Sequence, residues 1–174
     1  MCVNYVTVTR QTCFDWFRTP LKVNGEWCDE IYRDYNAPFI VHDEQGRRAL
    51  KIGGYGFVPQ RHRPFMKRTK EEQAKIDLGI VAGKKVPQPK RIAMDTMNAR
   101  AEEVGSKVNY KRFWLSQQLC IVPAQKVFEP NWENGIHERW ALGLADEGPF
   151  GLPGIGVHGR KRTAPYQTLS RTSR

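Results

Sequence analysis

The sequence predicts a β-rich α+β domain, with two packed or barrel-like sheets and a few short helices at their rim. Short runs rich in β-branched and aromatic residues recur between Gly/Pro turns. Only one long segment, residues 98–118, has convincing helical character. With 174 residues, 40% of them hydrophobic, and eight Phe, six Tyr and five Trp, the chain has bulky material for one real core.

The elements follow in order. "CVNYVTVT" (2–9) alternates and is β-branched, so it reads as a strand starting almost at Met1. "RQTCFDWFR" (10–18) reads as a short helix with Phe14 and Phe17 facing inward. "APFIVHD" and "RRALKIGGYGFVP" read as two strands joined by the turn "DEQG" (43–46). Residues 66–96 are polar, basic and broken by "GKK" and "PQPK", which predicts a long insertion with a short helix over "KEEQAKIDLG" (70–79). "NARAEEVGSKVNYKRFWLSQQ" (98–118) is the best helical segment, broken or bent near Gly105. "CIVPAQKVFEP" (120–130) predicts a buried strand leading into a turn, and "RWALGLA" (139–145) another strand. The domain is thus expected over residues 1–156. The tail 157–174 is basic and almost without apolar residues; it cannot bury enough surface to offset its ordering entropy, and disorder is expected there.

Charge narrows the partner. The formal net charge is +10, and it is clustered: residues 61–91 hold ten Lys/Arg against three acids, and the last eighteen hold five Arg/Lys and no acid. Such clusters favour a polyanion, and counterion release makes nucleic acid the first candidate. No signal-peptide h-region opens the chain, and no apolar run approaches the roughly 18 residues of a membrane span. Cys2, Cys13, Cys28 and Cys120 lie far apart with no C-x-x-C spacing, so neither a metal site nor a disulfide framework is expected. Reduced thiols in the cytoplasm fit this usage. No cofactor and no membrane partner are expected, and the chain is expected to act as a monomer.

Cys2 carries the sharpest chemical question. Removal of Met1 leaves an α-amine and a thiol on adjacent carbons, with reference pKa values near ~8 and ~8.5. Such a 1,2-aminothiol condenses with aldehydes to a thiazolidine, which an internal cysteine cannot do. The bland alternative is a second codon on a frayed end.

Four motifs in order bear on that choice: "MC" at the start, "YNAP" (35–38), "GYGFVP" (54–59), and "NARAE" (98–102) followed closely by "CIVPAQKVFEP". Together they resemble the SOS-response-associated peptidase (SRAP) family of abasic-site processing proteins, over residues 2 to about 155. The resemblance implies that Cys2 captures the ring-opened aldehyde of an abasic site in single-stranded DNA as a covalent thiazolidine crosslink. It also implies an associated autoproteolytic peptidase activity and lyase-type strand incision. Asn98 would hold the amine or a sugar oxygen, Arg100 a backbone phosphate, and Glu129 would move protons as the Schiff base forms and closes. Each has a structural alternative: Asn98 as a helix cap, Arg100 paired with Glu102 or Glu103, and Glu129 as a surface acid. Asn36 is expected to orient the active-site loop, and Pro38 to support a nucleotide sugar or base. Tyr55 and Phe57 are equally explained by core packing.

The chain departs from the family pattern twice. The aromatic wedge after a "WG-x-x-P" segment is weakened: Tyr55 replaces Trp, and "QRHR" follows, leaving Arg61 and His62 to stack or bind phosphate. A distal "H-x-R-M-P"-like motif, whose His assists ring opening, should lie beyond the end of this chain. His137, eight residues after Glu129 in an expected hairpin turn, reads as a coincidental look-alike, and His158 is a poorer candidate still. Two other classes remain open on sequence: a non-catalytic single-strand-binding remnant, and an N-terminal-nucleophile amidohydrolase acting through Cys2.

Overall fold

The computed structural model describes residues 4–58, 63–79, 89–92 and 96–156, and the backbone of 166–170. The chain divides into two compact units, Val58–Met94 and the remainder, Met1–Phe57 with Asp95–Arg174.

The larger unit is built from β1 (Asn4–Val6), α1 (Arg10–Phe17), β2 (Glu30–Ile31), β3 (Asn36–His42) and β4 (Arg48–Gly54). It continues after the smaller unit, whose helix is α2 (Lys70–Asp77), with β5 (Asn98–Arg100), α3 (Lys111–Leu115), β6 (Leu119–Ala124) and β7 (Lys126–Asn131). The last strands are β8 (Glu138–Leu142), β9 (Phe150–Gly156) and β10 (Tyr166–Ser170). One sheet has the order β2-β1-β7-β8, the other β4-β3-β6-β9-β10-β5. All the pairings are antiparallel except β5 with β10. Neither sheet closes on itself among the described residues, so of the two predicted arrangements the packed one is present.

Alternation builds the core. Ala37, Phe39 and Val41 of β3 and Cys120, Val122 and Ala124 of β6 point to one face, where they meet Tyr5 of β1 and Ile31 of β2. The opposite face of β3 offers Ile40, which packs with Val8, Leu50 and Cys13 of α1. Each such buried aliphatic or aromatic side chain contributes about 1.5–3 kcal/mol. The β3–β4 hairpin turns where the sequence predicts. Asp43 accepts at Oδ1 from the Gln45 and Arg47 amides at 2.9 and 2.8 Å, and Gly46 takes φ +74°.

Helix α1 forms as expected, with Thr9 accepting from the Thr12 amide at 3.1 Å as its N-cap. Its inward residue differs: Cys13 is fully buried and Phe17 half-buried, whereas Phe14 is exposed. Helix α2 carries a full capping box, Thr69 with Glu72, so a polar eight-residue helix without buried side chains has both ends of its first turn satisfied. In the same unit Phe65 bridges to Arg91, whose guanidinium lies 4.1 Å over the Phe65 ring.

Three segments differ from the sequence reading. Residues 98–118 do not form one bent helix. Asn98–Arg100 is recruited as β5, turns follow, and only Lys111–Leu115 is helical. The "CIVPAQKVFEP" run is two strands in different sheets, separated at Gln125, whose amide donates to the Val6 carbonyl at 2.8 Å. Within the tail expected to be disordered, residues 166–170 form β10, filling the place between β9 and β5. That neighbour is far away in sequence, and composition does not reveal it.

Candidate active site

Among the described residues, three of the four motifs meet in space with β1, the strand that follows the first. The Asp34 and Tyr35 backbone bonds to Tyr55 on either side of it: the Tyr55 carbonyl accepts from the Asp34 amide and its amide donates to the Tyr35 carbonyl, both at 2.8 Å. Asn36 then pairs with Gly54 at the start of the β3–β4 ladder. "YNAP" and "GYGF" are therefore one structural unit. Tyr55 is fully buried and meets the Tyr5 ring edge-on, with centroids 5.4 Å apart. Met97 joins the same cluster and precedes Asn98; the Phe57 amide donates to the Thr96 carbonyl at 2.9 Å. Strand β1 pairs with β7 in the register Asn4↔Phe128 and Tyr5↔Val127, so Glu129 follows the residue opposite Asn4.

Asn98 and Glu129 are half-buried and both engaged in interactions; Arg100 is exposed at the end of β5, and Glu103 pairs with Lys107 at 3.2 Å. Asn36 is exposed. Pro38 has less than 2% of its surface exposed, so it stands behind Asn36 as packing and not on the surface where a nucleotide would touch it. Tyr55 and Phe57 are core residues, Phe57 lying edge-on to Tyr110 and Phe113 at 5.3 and 4.8 Å. Cys2, Arg61 and His62 lie outside the described residues, as does His158. His137 is exposed at the β7–β8 hairpin, edge-on to Trp132 at 4.9 Å.

The thiols separate chemically. Burial pushes Cys13 up to about 11, against a smaller opposing effect of Arg10, and pushes Cys120 up to about 12. Both are therefore protonated and poorly nucleophilic near neutral pH. Cys28 is exposed.

A network missing from the sequence reading anchors β1 beside this region. Glu30 Oε1 accepts from the Asn4 amide nitrogen, from the Arg139 guanidinium, and from the Tyr32 hydroxyl at 3.0 Å. Burial pushes the Glu30 carboxyl up, but the hydrogen bonds from Tyr32, Arg139 and Asn4, with the Arg139 charge, outweigh it. The net result lies below the ordinary carboxylate value. Arg139 also lies 3.5 Å over the Phe128 ring. The signal for this network was the "ENG" turn, which sets β8 antiparallel to β7 and carries Arg139 to Pro130.

A buried motif cluster under the start of a nearly N-terminal strand, inside two packed sheets, defines the class. The chain matches the family described as SOS response associated peptidase (SRAP) over residues 1–171, and it belongs to that family. Membership ties it to a DNA-damage-related role and to proteins classed as peptidases. The structure is similar to the crystal structure of a protein from Bordetella bronchiseptica, with a TM-score of 0.71 at 21% identity, over 99% of this chain and 73% of that one. It is also similar to a phage-related protein from Bordetella bronchiseptica, with a TM-score of 0.62 at 11% identity, over 98% and 69% of the two chains. At these identities the likeness establishes the fold. No curated protein matches the sequence. Among the described residues no helix is long and apolar enough to cross a membrane.

Proposed function

We propose that this protein captures abasic sites in single-stranded DNA through Cys2, as a thiazolidine crosslink. The observation that supports it most is the convergence of β1, "YNAP", "GYGF" and the segments carrying Asn98 and Glu129 on the Tyr5–Tyr55–Met97 cluster. Two residues of chain span at most about 7 Å. Cys2 is therefore tethered close to Asn4, which pairs with the neighbour of Glu129.

The chemistry runs in two steps. The free α-amine of Cys2 adds to the C1′ aldehyde of the opened sugar, and water leaves to give the imine. The thiolate then adds to the imine carbon, the nitrogen takes a proton, and the five-membered ring is closed. Glu129 accepts the proton that the ammonium must lose and returns it to the departing hydroxyl, a role worth typically ~10²–10⁴-fold in rate. Asn98 holds the amine or a sugar oxygen, and Arg100 takes a phosphate with its planar fork. Asn36 orients the loop, with Pro38 packed behind it. Arg61 and His62 add phosphate or stacking contacts on the basic segment. The same thiol acts in removing the chain's own N-terminal residue, and lyase-type strand incision accompanies capture.

The product's mass tests this. An adduct isolated on the unincised strand, early in the incubation with an abasic oligonucleotide, should weigh the protein without Met1 plus the oligonucleotide less one water. A retained Met1, or a mass matching a thiol adduct without loss of water, would contradict the ring closure.

A further inference from the structure

The β7–β8 hairpin has two faces, and one of them is open where it should be covered. Directly opposed residues of an antiparallel pair share a face. The register Val127↔Leu142 and Glu129↔Trp140 therefore sets Leu142 and Trp140 on the side of Val127, which packs against the inter-sheet core. Core-facing positions are ordinarily buried, yet Trp140 is 46% and Leu142 45% exposed. The alternate face is occupied differently, by Arg139 over Phe128. The Trp140 indole N–H donates to Glu138 Oε2 at 3.2 Å, which fixes the polar edge of the ring.

We propose that Trp140 is a stacking platform for the nucleobase next to the nucleotide that reacts, with Leu142 extending its apolar shelf. This rests on the abasic-capture reading and adds a subsite to it. An abasic nucleotide has no base to hold. The orientation of its aldehyde must come from its phosphates and from the neighbouring bases. A large π surface held directly across the strand pair from Glu129 supplies that second hold, and every base has a face that fits it. The shelf is continuous with Glu129 across the strand pair, so the strand captured at the proposed site is its occupant. The shelf reads no hydrogen-bonding edge, so it accepts purines and pyrimidines, purines more tightly because they stack over a larger area.

Non-covalent binding tests this independently of crosslinking. The full chain is titrated at low salt with short single strands carrying a tetrahydrofuran spacer, which mimics the sugar but has no aldehyde. The residue on either side is adenine or a second spacer. Wild-type protein should bind roughly tenfold more weakly when the adenine on one side is replaced. Trp140→Ala should erase that difference while Trp140→Phe retains most of it, with matching thermal melts showing both variants folded. Equal discrimination in wild type and Trp140→Ala, or none in wild type, overturns the proposal. A peptide displacing the strand from wild type but not from Trp140→Ala would make the shelf a peptide site, and so overturns it too. Crosslinking to an authentic abasic strand, measured separately, decides the underlying reading.

Discussion

Tyr5 and Tyr55 meet edge-on, their ring planes at 87° and both side chains fully buried. Tyr5 belongs to the four-stranded sheet, and Tyr55 directly follows the edge strand of the six-stranded one. This contact therefore joins the two sheets directly beneath the candidate site. Truncating Tyr55 to Ala removes the ring and leaves a cavity that the sandwich closes only partly. A loss of about 3–5 kcal/mol is expected, read as a lower urea midpoint with an unchanged m value.

Thr19 offers the opposite change. It is buried just after α1, and its hydroxyl has no hydrogen-bond partner among the described residues. An unpaired buried hydroxyl has lost water without compensation. Thr19→Val keeps the shape and removes the orphan group, so stability should rise by about 1 kcal/mol. A urea titration of both proteins checks it, and a lower midpoint in the variant would contradict it.

Glu30 gives the pH dependence. Its folded pKa lies below the ordinary 4.5, so its contribution is fully present above that value. It is lost as pH falls through the lower, folded value. Glu30→Gln retains an acceptor but no charge. The stability gap between wild type and variant should therefore be constant near neutral pH and shrink progressively in acid. The site is exposed enough for salt to weaken the effect. Urea midpoints of both proteins across the acid range provide the measurement; a gap that widens in acid would contradict the assignment.

Much of this architecture is legible in the residues, and where it is not the reason is non-local pairing. The β3–β4 hairpin was readable because Asp43 and Gly46 carry their own turn chemistry, and α2 because its caps lie within one turn. The segment 98–118 has helical composition, but Asn98–Arg100 gain a strand partner in β10, about seventy residues on, which no local pattern announces. The break at Gln125 likewise depends on β1 being there to accept its amide. For the candidate site, Asn36, Asn98, Arg100 and Glu129 are the residues that motif order proposes. Glu30 and Trp140 became visible only through register, because neither lies in a motif and each is placed by a partner across a strand pair.

The central claim is that Cys2, and no other thiol, forms the crosslink. Cys13 and Cys120 are disqualified by burial, which holds them protonated, so Cys28 is the exposed competitor among the described thiols. The direct test is the rate of gel-stable adduct formation with an abasic single strand for wild type, Cys2→Ala, Cys2→Ser, Cys13→Ala and Cys28→Ala. The account predicts adduct from wild type and from the Cys13 and Cys28 variants at similar rates. It predicts none from Cys2→Ala, and none stable from Cys2→Ser, because oxygen closes a much weaker ring. Adduct from Cys2→Ala at the wild-type rate would contradict it.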